Sequence, residues 1–397
     1  MNSTTSQKRK GSLDAKVFDV TALLRRLVTL TDSRSTKGLR FPLAPVLVLI
    51  VLAKMSGEDQ PSGIADWIKH RGQRLQEALQ LHWSRMPHHN TYRRILGDVI
   101  PPDELDSVVG EQLLSQPGVG RSVLVAIDGK TVRGTIDAAH PRGDHLLAAY
   151  LPEEGIVLLQ VAAGDKENEI TVAPKLLKGL DLRGKVVAGD ALHTQRALSI
   201  QIQEEGGDYL WFVKDNQPTL RAEIEELFTA DGRTVEGGQV PNDFKTYRTV
   251  DKAHGRLEKR EITVSSELKG YSDWPGLEQV FKLDRHRTDI KSGKKQQEIV
   301  YGLTSLSESE ASPERVLYLS RMYWGIENGL HQCRDVTFNE DRTRMTRGHA
   351  GRVMASLNNL VIGLLRQAGA TNIAEARRWC DASIIPAIMP LSDRLIT

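Results

Sequence analysis

Two short apolar runs, each closing on an aspartate, constrain the fold of this 397-residue chain most strongly. The first reads LVAID and ends at Asp128, and the second reads KVVAGD and ends at Asp190. Continuous apolar runs of this length predict strands buried on both faces. A carboxylate at the end of such a strand is costly to remove from water unless it has a partner. A cap or a turn could provide that partner for one acid, but the pair favours a metal, and Gly129 after Asp128 would leave room for it.

The elements around these strands predict their arrangement. The first strand is followed by two strands around the turn PEEG, residues 152–155, and then by a helix that Asn168 can cap. Strand, helix and strand follow, up to residue 215. This succession matches a ribonuclease-H-like α/β fold, in which helices flank a mixed sheet and acids gather at strand ends.

The rest of the chain divides by its pattern. Apolar residues at three- and four-residue spacing predict an N-terminal all-helical domain. Its apolar run from Leu43 to Ala53 predicts a buried helix, because 11 residues fall well short of the roughly 20 that a membrane span needs. The predicted parts are a disordered basic arm (1–16), a helical leader domain (17–118), the first part of the catalytic core (119–215), a β-rich insertion (216–310), the last core helices (311–370) and a C-terminal tail (371–397).

Composition restricts the function only weakly. A net charge of +2 does not by itself indicate a polyanionic partner, so evidence for a nucleic-acid site must come from local arginine clusters. Two cysteines, Cys333 and Cys380, are too few for a disulfide framework and indicate free thiols in a reducing compartment. The basic start of the chain lacks the apolar segment of a secretory signal. We therefore expect a cytoplasmic protein with no membrane partner.

A third acid, Glu327, lies in the stretch WGIENGLHQCRD on a predicted helix that Ser312 caps. Residues four and seven positions later, His331 and Arg334, share its face of the helix. A solvated ion-pair face would also explain this pattern. Apolar bulk on both sides of the acid, at Trp324 and Ile326, indicates instead that the helix is docked and directs Glu327 inward.

Three carboxylates from separate elements suit one kind of chemistry. A phosphodiester is a poor electrophile surrounded by negative charge, and enzymes that cleave or join one often use two divalent metals about 4 Å apart. Such hard cations prefer oxygen ligands. Asp128, Asp190 and Glu327 can supply them.

Seven stretches, in order along the chain, carry a resemblance. They read LVAIDGKTVRGT, DKENEI, VVAGDALHTQ, YLWFVKDNQPTL, HGRLEKR, WPGLEQV and YWGIENGLHQCRDVTFNEDRTRMTRG. Together they resemble the DDE transposases of bacterial insertion sequences, in the branch that includes the H-repeat-associated proteins. The leader stretches DSRSTKGLRFPLAPVLVLIVLAKMSG and IADWIKHRGQRL resemble the same branch, and the similarity covers residues 20 to about 366.

The resemblance implies a metal-dependent strand-transfer enzyme. Asp128, Asp190 and Glu327 would be the DDE triad, which binds two Mg²⁺ ions that Mn²⁺ can replace. The partners would be the terminal inverted repeats of the element, bound in part by the leader domain, and the target DNA. Two ends must be brought together, so a homodimer or higher oligomer on DNA, associated with the bacterial nucleoid, is expected.

The chain departs from one signature of the larger group, which has Tyr, Arg, Glu and Lys around the third acid. Ser320 and Tyr323 stand where the Tyr and Arg would be, and Arg334 replaces the Lys. Arg321, two places before the usual arginine, could compensate. The departure concerns the positioning of phosphates and leaves the acids untouched.

Lys and Arg side chains near the acids are candidate contacts to DNA phosphates. Each could also be an ordinary surface cation. The predicted DNA-binding residues are Lys130, Arg133, Lys214, Arg321, Arg334, Arg342, Arg344 and Arg347. Arg352 belongs to the same basic run.

Other residues carry weaker signals. His193 either tunes the site or bonds to a helix start, and His254 and Arg256 either approach DNA or close a hairpin. Helix residues 91–97 could read DNA. The pair His88 and His89 lacks a third metal ligand.

Three functions fit the sequence. The first is a cut-and-paste transposase, the second is a DNA-binding protein that has lost catalysis, and the third is a metal nuclease without strand transfer. The intact triad argues against the second, while fold alone does not separate the first from the third.

Overall fold

The computed structural model describes residues 19–115, 120–164, 166–229, 233–235, 238–240, 242–253 and 255–387. The predicted arm (1–16) and His254 lie outside these residues. Within them, no helix combines the length and the apolar character that crossing a bilayer requires. Cys333 and Cys380 are both free thiols.

The leader region is helical, as predicted. Its helices are α1 (Val20–Leu27), α2 (Leu43–Met55), α3 (Pro61–His70), α4 (Gly72–Leu79), α5 (His89–Arg94) and α6 (Pro102–Leu114). A π-helical turn, Ile95–Val99, follows α5. Helix α2 is buried along almost its whole length, which explains why its sequence shows no polar face.

The core strands also lie where the apolar runs predict them, but the first strand does not end at Asp128 as predicted: it continues to Val132, paired with the next strand along the chain. They are β1 (Leu124–Val132), β2 (Asp144–Leu151), β3 (Ile156–Ala163), β4 (Val186–Gly189) and β5 (Asp208–Val213). Strand β1 pairs in parallel with β4, and β4 in parallel with β5, while β2 and β3 add antiparallel neighbours on the other side. Three helices connect or follow these strands: α7 (Glu169–Lys178), α8 (Arg196–Glu204) and α9 (Pro218–Thr229). Asn168 caps α7 with a reciprocal bond to Thr171, as its position predicts.

Residues 216–310 are rich in strands and continue the core sheet. The strands are β6 (Arg233–Val235), β7 (Gly238–Val240), β8 (Lys245–Ala253), β9 (Arg256–Ser265), β10 (Gln279–Asp289) and β11 (Lys295–Thr304). Strand β11 pairs antiparallel with β5, giving one nine-stranded sheet in the order β3-β2-β1-β4-β5-β11-β10-β9-β8, while β6 and β7 pair with each other. The predicted class, a mixed sheet flanked by helices after a helical leader, is confirmed; the exact domain boundaries stay a prediction.

The last helices join the leader to the sheet. Helix α10 (Pro313–Tyr323) begins at the cap Ser312, as predicted, and is followed by two π-helical segments, Ile326–His331 and Cys333–Thr337. Helix α11 (Ala350–Gln367) packs against α6, α2 and β3, and α12 (Ile373–Ala387) packs against α2. The leader and the catalytic sheet therefore share one hydrophobic core.

The junction between β5 and β11 offers a test of this continuous sheet. A Cβ at Gly302 would overlap the Phe281 ring and the Trp211 carbonyl oxygen. We expect Gly302→Ala to lower the free energy of unfolding by about 1–3 kcal/mol, because overpacking forces both groups to shift. Gln296→Ala, on the exposed half of β11, should change it by less than about 0.5 kcal/mol. Urea denaturation measures both, and equal stability of the two variants would contradict the described junction.

Candidate active site

The parallel pairing of β1 and β4 sets the two aspartates side by side. Ile127 pairs with Gly189, so the residues that follow, Asp128 and Asp190, reach the same edge of the sheet. Asp190 then begins a short 3-10 turn, Ala191–His193, whose backbone it caps through Leu192 N–H at 2.9 Å. The predicted juxtaposition thus follows from strand register.

The third acid approaches from the other side of the sheet edge. Helix α10 packs on β1, and the π-helical segment after it carries Glu327 toward Asp128. The Glu327 side chain is nevertheless exposed, so the prediction that it points inward is wrong. Ligand atoms of Asp128, Glu327 and His331 all lie within 4.8 Å of one another. His331 Nδ1 is 3.4 Å from Asp128 Oδ2. Asp190 is outside this tightest group, although its charge acts on Asp128.

The carboxylates of this site repel one another, so a bound positive charge would stabilise them. Burial, followed by the charges of Glu169, Glu327 and Asp190, raises the pKa of Asp128 to about 8. Burial, Arg334 and Lys130 lower the pKa of His331 to about 3, so its ring stays neutral. Burial alone would raise the pKa of Asp190, but hydrogen bonds from His193 and Leu192 outweigh it and the pKa falls below its usual value.

The donor set fits a hard divalent cation. It offers carboxylate oxygens from three elements, and the buried Nε2 of neutral His331 has no hydrogen-bond partner among the described residues. A cation would relieve the repulsion that burial and three neighbouring acids impose on Asp128. Asp128, Glu327 and His331 are the nearest candidate ligands, with Asp190 beside them.

Sequence reasoning missed Glu169 and His145, which also belong to this site. A Cβ at Gly129 would overlap the Glu169 carboxylate and His145 Nε2. The expectation that Gly129 leaves room for a metal and a phosphate is therefore wrong, because Glu169 fills that space. Glu169 could have been considered as a site residue from the sequence, since it lies in the motif DKENEI. Nothing in the motif, however, showed which way its side chain points.

Two of the residues predicted to contact DNA, Arg334 and Lys130, form ion pairs within the protein. Arg334 is fully buried and its guanidinium lies 2.8 Å from Glu340 and 3.2 Å from the Gln160 side chain. Lys130 is nearly buried, with its Nζ 2.5 Å from Asp335 and 3.4 Å from Asp341. The predicted contact of Arg334 to DNA is thus wrong, because burial in an ion pair removes its guanidinium from any ligand, and Lys130 stabilises the loop around residue 341.

The remaining cations are on the surface. Arg321 pairs with Asp251 at 3.2 Å, and Arg133 lies 3.7 Å from Asp341. Three others, Lys214, Arg342 and Arg344, are exposed and have no ion pair among the described residues. Their contact with DNA stays a prediction.

A cationic cavity of about 480 Å³ lies between the leader region and the loop after residue 341. Its arginines come from α5 and from the loop: Arg93, Arg342, Arg344 and Arg347. No acid lines it. Arg347 also bonds Asp98 of the leader, which holds the loop against the helices. The leader and the loop therefore form one positive surface.

The residues with weaker sequence signals have structural explanations. His88 caps α5 through its own side chain. Arg256 begins β9 and is exposed.

The repulsion predicts a gain of stability when Asp128 is neutralised. With its pKa near 8 when folded and near 4 when unfolded, Asp128 binds a proton more tightly in the folded protein, so stability falls as the pH rises through this window. Metal-free Asp128→Asn should therefore be more stable than the wild type at pH 7.5, by roughly 2–5 kcal/mol, with a smaller gap at pH 4.5.

Denaturation with a chelator present measures this difference. The exposed Asp181→Asn is the matched control and should show no such gain, because the pKa of Asp181 is lowered to about 2 by its bond to Arg183. An Asp128→Asn protein no more stable than wild type at pH 7.5 would contradict the electrostatics described here.

Comparison with known proteins shows similarity along most of the chain. The family described as "Transposase DDE domain" matches residues 120–364, more than half of the chain, and the family described as "DDE_Tnp_1-associated" matches residues 24–111. The relative "H repeat-associated putative transposase YhhI" of Escherichia coli (strain K12) is 28% identical over 354 residues, which cover 88% of this chain and 91% of the relative.

Two further similarities are more distant or more partial. The "Uncharacterized protein in dhlA 3'region" of Xanthobacter autotrophicus is 30% identical over 259 residues, covering 64% of this chain and 84% of the relative. A solved structure, "Cryo-EM structure of piggyBac transposase synaptic complex with hairpin DNA (SNHP)", aligns over 97% of this chain and 86% of its own, at 12% identity and a TM-score of 0.37. On the extent of the first match, the chain belongs to the family of transposases with a DDE domain.

Proposed function

We propose that this protein is a metal-dependent DNA transposase that cleaves the ends of its insertion sequence and joins the freed 3′-hydroxyls to target DNA. The observation that carries the proposal is the convergence of Asp128, Asp190 and Glu327 at one sheet edge, where burial and the charges of Glu169, Glu327 and Asp190 raise the pKa of Asp128. Such repulsion is tolerated at functional sites more readily than in a structural core.

Divalent cations, with two Mg²⁺ as the proposed set and Mn²⁺ as a substitute, would activate the attacking oxygen and stabilise the leaving one. The ligands would be Asp128 and Glu327, with Asp190 completing the set and neutral His331 facing Asp128. Its low pKa keeps His331 from adding a competing positive charge.

The reaction has two displacements at phosphorus. In the first, water attacks the phosphodiester at the element end, a phosphorus–oxygen bond breaks, and the 3′-hydroxyl departs with a proton. In the second, that 3′-oxygen attacks a target phosphodiester and displaces the target's own 3′-oxygen. Each displacement exchanges one phosphorus–oxygen bond for another, so the joining step needs no external energy source.

The cationic cavity supports DNA as the partner. Phosphate contacts from Lys and Arg supply most of the affinity for DNA. Arg342 and Arg344 are free of ion pairs among the described residues, and α5 brings Arg93 to the same surface. We propose that the element end runs across this surface to the acids, and that two copies of the chain hold the two ends.

Two other functions remain as outcomes of the same assay. Purified protein would be incubated with Mg²⁺ and linear DNA that carries the terminal inverted repeats. Strand joining selects the transposase, and cutting without joining selects a nuclease. Binding without cutting selects a DNA-binding protein that has lost catalysis.

Asp128→Ala, Asp190→Ala and Glu327→Ala should each abolish cleavage, by at least about 10³-fold, because each removes a carboxylate from the proposed cation site. Binding of the ends, measured by gel shift, should stay within a few-fold of wild type. Asp181→Ala, which removes an exposed acid at the opposite end of β4, is the matched control and should cut normally. Near-normal cutting by any triad variant would overturn the assignment.

Arg342→Gln and Arg344→Gln should each weaken DNA binding at all sequences and reduce the slope of log affinity against log salt by about 1. Fluorescence anisotropy over a salt series measures both quantities. Arg183→Gln, an exposed arginine far from the acids along β4, serves as the control. An unchanged salt slope in both loop variants would exclude this surface as the DNA contact.

A further inference from the structure

His193, directly behind the second aspartate, is a fully buried side chain at the edge of the site. Its Nδ1 lies 3.0 Å from Asp190 Oδ1, the oxygen that also accepts the Leu192 N–H. Gly189 makes this possible, because a Cβ there would lie 2.9 Å from the Cβ of His193. One oxygen of Asp190 is thus fixed by the protein, which leaves Oδ2 as the oxygen to face a cation.

The other nitrogen of His193 faces Glu169. Its buried Nε2 lies 3.4 Å from Glu169 Oε2, within ion-pair distance but without a hydrogen bond among the described residues. Glu169 Oε1 lies at the hydrogen-bond distance of 2.9 Å from His145 Nε2. His145 Nδ1 in turn lies 2.9 Å from the Thr131 hydroxyl. These four residues, Thr131, His145, Glu169 and His193, form a chain of contacts that we call the Glu169 network. It links β1, β2, α7 and the turn that holds Asp190.

Local structure fixes Glu169 in this place. It is the first residue of α7, and the reciprocal bonds between Asn168 and Thr171 hold that helix start. Its carboxylate fills the space above Gly129, next to Asp128. Gly129 and Gly189, the glycines beside the two aspartates, therefore leave space for this network. Neither packing of the apolar core nor contact with the proposed DNA surface explains why the network is present.

We propose that Glu169 is a positioning residue that acts through His193 to hold the Asp190 carboxylate ready for a divalent cation. The inference rests on the proposed function, since it assumes that Asp190 binds the cation. Both Glu169 oxygens face histidines, so its contacts are those of a support for a ligand. Outer partners of this kind usually change metal affinity by about 10–100-fold.

The test measures Mn²⁺ binding to the full chain without DNA, by the electron paramagnetic resonance signal of free Mn²⁺. Glu169→Ala and His193→Ala should each weaken binding by about 10–100-fold, and Glu169→Gln by a smaller factor. His193→Asn, which keeps a donor near the position of Nδ1, should recover part of the loss. Glu167→Ala, an exposed acid of the same motif, is the matched control and should bind normally. Thermal unfolding shows that each variant is folded.

The double variant Glu169→Ala/His193→Ala decides how Glu169 acts. A loss no larger than that of His193→Ala alone supports the proposal, because Glu169 then works only through His193. A loss equal to the product of the two single losses would overturn it and make Glu169 a ligand in its own right. Wild-type affinity in Glu169→Ala would also overturn it.

Asp190→Asn separates this inference from the proposed function. If Asp190→Asn binds Mn²⁺ less tightly while Glu169→Ala does not, the metal site stands and the positioning role fails. If Asp190→Asn leaves Mn²⁺ affinity unchanged, the cation does not use Asp190, and the proposed site fails together with the inference.

Discussion

Repulsion among carboxylates at one end of a parallel strand pair is the constraint around which this protein is built. The register of β1 with β4 places Asp128 beside Asp190, and the π-helical segment after α10 brings Glu327 to the same edge. Burial makes the arrangement costly, as the raised pKa of Asp128 shows. A rigid framework must therefore hold the acids together, and the large shared core of sheet and leader provides it.

That framework includes a buried polar cluster next to the segment that carries Glu327. Arg334 of the second π-helical segment pairs with Glu340, whose other bond comes from Asn358 of α11. Gln160 of β3 joins the same cluster through Arg334 and through Asn359. Because a half-satisfied buried network is costly, these bonds favour one placement of the segment that carries Glu327. π-Helical turns are rare and often lie at functional sites, where they redirect a side chain.

The pattern of apolar residues was sufficient to predict much of this structure, although β1 continues past Asp128 to Val132. The buried runs that end in Asp128 and Asp190 became neighbouring parallel strands, since such runs have few other stable arrangements. The directions in which individual side chains point could not be predicted from the sequence. Arg334 was expected beside Glu327 by α-helical spacing, but π-helical winding and Glu340 turn it inward. Glu169 gave no sign of its role, because its partners, His145 and His193, come from elements 24 residues away on each side.

The proposed function depends on one cation site shared by acids from three separate elements. Crystals of the protein grown with Mn²⁺, with diffraction data collected at the manganese absorption edge, test this most directly. We expect anomalous density between Asp128 and Glu327, with Asp190 within ligand distance of it. Manganese bound only elsewhere on the molecule, with this edge of the sheet empty at millimolar Mn²⁺, would contradict it.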